Sequence, residues 1–112
     1  MSGEHFALTE AVFYILLSLQ RPLHGYGIMQ RVEELSRGRV RLAAGTLYGA
    51  LATLVEKGWI RALPGEANSR KKEYQITPAG LDAAREELAR LRELTGNGET
   101  ILGGSEDAQN DP

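Results

Sequence analysis

The chain has no cysteine, and only one tryptophan, two histidines and four prolines among its 112 residues. Lack of cysteine excludes disulfides, a thiol nucleophile and thiolate metal sites. His5 and His24 are too few to hold a metal by themselves, so neither a metal nor any other cofactor is expected. Also missing are an arginine-led apolar leader and any uninterrupted apolar stretch long enough to cross a bilayer, which points to a cytoplasmic protein without a membrane partner. No phosphate-binding glycine loop occurs, and no pair of carboxylates with an activating neighbour, so an enzyme is not expected.

What is present is one domain's length of chain with 42% apolar residues, enough for a modest core. The net charge of −2 conceals a strong asymmetry. Residues 21–72 carry ten Lys/Arg against four Asp/Glu, residues 73–112 carry three against nine, and the first twenty residues hold the remaining two acids. A polyanion would be drawn to the middle of the chain and repelled by its end.

Hydrophobic periodicity predicts four helices and one hairpin. Residues 9–20 are apolar on nearly every side (Leu8, Val12, Phe13, Ile15, Leu16, Leu17, Leu19), with Thr9 as N-cap and Pro22 as stop, so this helix must be buried on more than one face. Ile28, Val32 and Leu35 form one stripe of a second helix that ends near residue 37, before Gly38. A third helix starts at Ala43 or Thr46 and closes at Lys57 before Gly58, with Leu47, Leu51, Leu54 and Val55 on its inner arc. Its other arc (Thr46, Gly49, Ala50, Thr53, Lys57) is small and polar, the dimensions wanted of a helix entering a groove about 12 Å wide.

Residues 59–63 and 72–76 alternate as two short strands around a cation-rich turn. Thr77-Pro78 then starts a last helix running to Leu94, in which Leu81, Ala84, Leu88 and Leu91 keep a/d spacing. From Thr95 onward the chain is rich in glycine and carries only acidic charges, which predicts a disordered tail. The expected architecture is mainly α with a small β-hairpin. It reads as a winged helix-turn-helix over residues 1–77, a C-terminal dimerisation helix over 78–94 and an acidic tail over 95–112. Phe13, Tyr14 and Trp59 read more simply as core than as a binding cage, and His24 as a structural residue at a helix start.

Four fragments in this order resemble the PadR-like transcriptional regulators, in particular their short members with a single C-terminal helix. They are His24-Gly25-Tyr26-Gly27-Ile28, Gly45-Thr46-Leu47-Tyr48, Glu56-Lys57-Gly58-Trp59-Ile60, and the run from Arg70 through Lys71, Lys72, Tyr74 and Thr77-Pro78 to Gly80. The resemblance spans roughly residues 7–94. Two departures from the family pattern stand out: Gly27 replaces a frequent acid, and Gly49 replaces a frequent proline inside the third helix.

Helix two and helix three form the helix-turn-helix, whose second helix lies in the major groove with its N-terminus toward backbone phosphates. Thr46 and Tyr48 can donate hydroxyl hydrogen bonds there. By wheel position Tyr48 reads equally as half-buried core, and Thr46 as an N-cap; the resemblance favours a phosphate contact for Tyr48. Thr53 and Lys57 lie further round the outer face and extend the expected DNA contacts. Arg70, Lys71 and Lys72 at the hairpin tip suit phosphate clamping, and Arg41 is a weaker candidate from the alternating Arg37, Arg39 and Arg41.

The all-round apolar first helix (Phe13, Leu16) and the a/d stripe (Leu81, Ala84, Leu88, Leu91) are economically covered by a second copy, and the resemblance implies the same two-fold homodimer. Symmetry then predicts an inverted-repeat operator in double-stranded DNA. The resemblance further implies repression and a small planar effector at the dimer interface, although no residue here identifies such a ligand. The competing expectation is a winged-helix protein-interaction module that does not bind DNA.

Overall fold

Residues 7–64 and 72–103 are described by a computed structural model of the chain. Thr9 caps α1 (Glu10–Ser18): its hydroxyl accepts the Val12 N–H at 3.1 Å, satisfying one of the amides that a helix start leaves free. Pro22 leads not into a simple turn but into a two-residue strand β1 (Leu23–His24), too short to show any periodicity in the sequence. His24 then caps α2 (Gly25–Leu35), Nδ1 accepting the Gly27 N–H at 3.2 Å.

The reversal after α2 uses Arg37 and Gly38, both left-handed at φ 55° and 81°. Buried Ser36 stabilises this turn by accepting the Val40 N–H at 2.9 Å. Helix α3 (Ala44–Glu56) follows, ended by Gly58 at φ 78°, while the Trp59 N–H reaches back to the Leu54 carbonyl at 3.0 Å.

Strands β2 (Ile60–Ala62) and β3 (Glu73–Ile76) pair antiparallel, Ile60 opposite Ile76, and β1 joins the other edge of β3 with Leu23 opposite Tyr74. The sheet order is thus β1-β3-β2, one strand more than the expected hairpin. Ile76 donates its N–H to the Leu19 carbonyl at 2.9 Å, fastening the wing to the end of α1.

Thr77 caps α4 (Pro78–Gly98), accepting the Gly80 N–H at 3.0 Å and donating its hydroxyl to the Gly58 carbonyl at 2.6 Å. The helix does not stop at Leu94. It runs to Gly98 and continues as a π-helical turn over Glu99–Gly103, so the expected disordered tail from residue 95 is corrected over these nine residues. Glycine weakens a helix interior by about 1 kcal/mol but does not by itself end a long one. Leu94, Ile101 and Leu102 prolong the apolar pattern through Gly96 and Gly98.

The core gathers Ile15, Leu16 and Leu19 of α1 and its end with Ile28 and Val32 of α2, Leu47, Leu51 and Leu54 of α3, Ile60 of β2 and Ala84 of α4. Two residues expected at a subunit interface are therefore spent inside the protomer: Leu16 is fully buried and Ala84 nearly so. Leu16 packs into the core shared by α1, α2 and α3, and Ala84 joins it because α4 lies against α1 instead of projecting away from it. Of the other expected interface residues, Phe13, Leu81 and Leu91 are half-buried and Leu88 is exposed.

Candidate nucleic-acid interface

Helix α3 has no side-chain cap at Ala43 and no acid in its first turn. Thr46 is thus not the N-cap but a third-position residue, exposed to solvent. The amides of Ala44, Gly45 and Thr46 precede the first intrahelical bond, Leu47 N–H to Ala43 carbonyl at 2.9 Å, and give the helix start a partial positive charge suited to a phosphate. Opposite the buried Leu47, Leu51 and Leu54, the helix exposes Gly45, Thr46, Tyr48, Gly49, Ala52 and Thr53.

Tyr48 is half-exposed, with its ring lying across the start of α2. A Cβ at Gly25 would come within 2.2 Å of the Tyr48 hydroxyl, so a side chain at position 25 would evict the ring from this seat. Tyr48 also acts electrostatically on Tyr74 of β3, whose hydroxyl is pushed above its usual pKa first by burial and then by Tyr48.

Thr53 and Lys57 lie on another side of α3. The Thr53 hydroxyl donates to the Gly49 carbonyl at 3.2 Å, and Lys57 Nζ sits 5.2 Å from the centre of the Trp59 ring. Both line a groove of about 860 Å³ between α1, α3 and α4, with Leu8, Val12 and Trp59 among its apolar walls. The structure thus separates these two from Tyr48, whereas the sequence had placed all of them on one DNA-facing surface.

Charged residues divide similarly. Arg41 pairs with Glu33 at 3.3 Å and Arg39 with Glu10, which raises the Arg39 pKa, so these two cations already have acidic partners. Arg37 is exposed in the left-handed turn. Lys72 precedes β3 and is exposed, as is Arg61 of β2 opposite Gln75; neither forms an ion pair among the described residues. Arg61 was missed in the sequence, although alternation with inward Ile60 marks it as outward. Arg70 and Lys71 lie outside the described residues.

The groove also holds the one buried acid among the described residues. Glu87 is 4% exposed; Arg90 donates to both its oxygens at 2.9 and 2.5 Å, and the Leu8 N–H donates to Oε1 at 3.2 Å. The hydrogen bond from Arg90 holds this carboxyl below the usual range, overcoming burial, with the Leu8 amide assisting. No group of acids and histidines among the described residues is arranged to hold a metal, and none of their helices is long and apolar enough to cross a membrane.

Residues 13–86 match the family model of the transcriptional regulator PadR-like family. A PadR family transcription regulator from Clostridium difficile superposes with a TM-score of 0.72 at 24% identity, covering 84% of this chain and 99% of the other. A second, from Eggerthella lenta, gives 0.67 at 25% identity over 81% and 80% of the two chains. In sequence, an uncharacterised 37.1 kDa transposon protein of Streptomyces fradiae is 40% identical over 75 residues, 67% of this chain. The chain spans only 21% of that relative's length.

Proposed function

The chain belongs to the PadR-like family of transcriptional regulators, and from that premise we propose that it is a homodimeric repressor of an inverted-repeat operator. Helix α3 enters the major groove of each half-site, and the wing holds the flanking phosphates through Lys72, Arg70 and Lys71, joined by Arg61. The observation that carries this reading is the exposed face of α3: it starts with uncapped amides and has no acid before Glu56, while the exposed wing cations Arg61 and Lys72 form no ion pair among the described residues. Family membership supports DNA binding and regulation; repression and two-fold pairing are the finer parts of the proposal.

Pairing follows from α4. Once Ala84 and Glu87 are spent on the protomer, Leu88, Leu94, Ile101 and Leu102 remain exposed along the rest of the helix, at 39%, 52%, 68% and 72%. Apolar side chains aligned in this way are covered most simply by a second α4. Two-fold symmetry sets the half-site centres about one helical turn, roughly 34 Å, apart. For the small planar effector expected at the dimer interface, the groove lined by Trp59 and Lys57 is the candidate seat.

Selection of bound duplexes from source-genome DNA tests the proposal. The expected result is a small set of fragments sharing an inverted repeat, each bound by two copies of the chain. Recovery of no duplex above random competitor contradicts it and favours a protein-interaction module.

A further inference from the structure

The side chains that ordinarily distinguish bases in the major groove are arginine or lysine on guanine, asparagine or glutamine on adenine, and carboxylates on cytosine. None of these residue types occurs between Ala44 and Val55 of α3. Glu56 comes only at the last helical position, and Lys57 is turned toward Trp59. A helix that reads DNA with its N-terminal turns therefore has no bidentate reader to use.

What it does expose is methyl groups. Gly45 and Gly49 stand in open space, where a Cβ would meet nothing within 4 Å, so no side chain there keeps the helix from the groove floor. They are flanked by Thr46 and Thr53 on one side and by Tyr48 and Ala52 on the other.

Resting on the DNA-binding reading of α3, we infer that this helix reads its half-site through thymine 5-methyl groups, which pack against the methyls of Thr46 and Ala52. Apolar contact with this methyl is the one major-groove signal open to alanine, and the threonine methyl detects it as well. Hydroxyls of Thr46 and Tyr48 set register on the phosphates. The operator half-site is consequently marked by thymines at the positions facing α3, with guanine N7 unread by this helix.

The test uses full-length protein and a duplex selected from genomic DNA, with each thymine replaced in turn by deoxyuridine, which removes only the methyl. At one or more positions in each half-site binding should weaken about fourfold, the worth of one buried methyl-sized group. Thr46→Ser, which keeps the hydroxyl, or Ala52→Gly should erase that sensitivity at its own position. Uracil tolerated throughout the site while binding persists overturns the inference, as does a larger loss from 7-deazaguanine than from uracil within the half-site. Failure to select any duplex is a different result: it removes the DNA-binding reading and this inference with it.

Discussion

Replacement of Gly80 by alanine sets local propensity against packing. Alanine in a helix interior is favoured over glycine by about 1 kcal/mol, so propensity alone predicts stabilisation. At Gly80, however, the new Cβ would lie 2.0 Å from the Trp59 carbonyl oxygen and 2.8 Å from its carbon. Relief requires the start of α4 to withdraw from the wing by about 1 Å, because a real contact does not fall below 3.0 Å. That movement breaks the 2.9 Å hydrogen bond from the Thr77 N–H to the same carbonyl. Overpacking costs about 1–3 kcal/mol and the lost bond about 1 kcal/mol, so after the propensity gain a net loss of roughly 2 kcal/mol remains. In a domain of this size that lowers Tm by about 8–16 °C. Gly49→Ala is the matched control: its Cβ meets nothing, and Tm should rise by a few degrees. Melting curves for the two variants decide the matter. A Gly80→Ala protein that melts at or above the parent refutes the close packing of α4 on the wing.

Leu88→Glu should weaken self-association at least about tenfold by placing a charge in the paired face, read by sedimentation, without lowering the melting of the protomer. Glu87→Gln probes the buried carboxyl. A folded pKa held below the ordinary carboxylate value contributes stability that is complete at neutral pH and is lost as pH falls through the folded pKa. The parent should therefore resist urea better than the variant at pH 7, with the gap narrowing as pH falls below the ordinary carboxylate range; a gap that stays constant throughout the acid titration contradicts the assignment. Joint replacement of Arg70, Lys71 and Lys72 by alanine should reduce affinity for all sequences alike and cut the slope of log K against log salt by about 2.7, at roughly 0.9 per phosphate contact. An unaltered slope removes the wing from the interface.

Elements with a chemical stop or start signal were legible in the sequence. Thr9, Gly38, Gly58 and Thr77-Pro78 each sit where the structure uses them, because caps and left-handed turns depend on the residue itself. Features that depend on what packs nearby were not. Leu16 and Ala84 looked like interface because the sequence does not say that α4 lies back on α1. Glu87 gave no signal, since its worth comes from Arg90 and from the amide of Leu8, seventy-nine residues away. Strand β1 exists only through its pairing with β3, and Gly96 and Gly98 suggested an end to α4 that the helix passes through. In the site, the third helix was found, but its sides were not resolved: Thr53 and Lys57 face the groove, while Tyr48 rests on Gly25.

The central claim is that α3 and the wing bind duplex DNA as a symmetric pair. It is tested most directly by titrating purified protein against a genome-selected duplex at several salt concentrations while measuring stoichiometry. The account predicts two chains per inverted repeat and an affinity that falls steeply as salt rises. A complex of one chain, or binding indifferent to salt and to the repeat's symmetry, contradicts it.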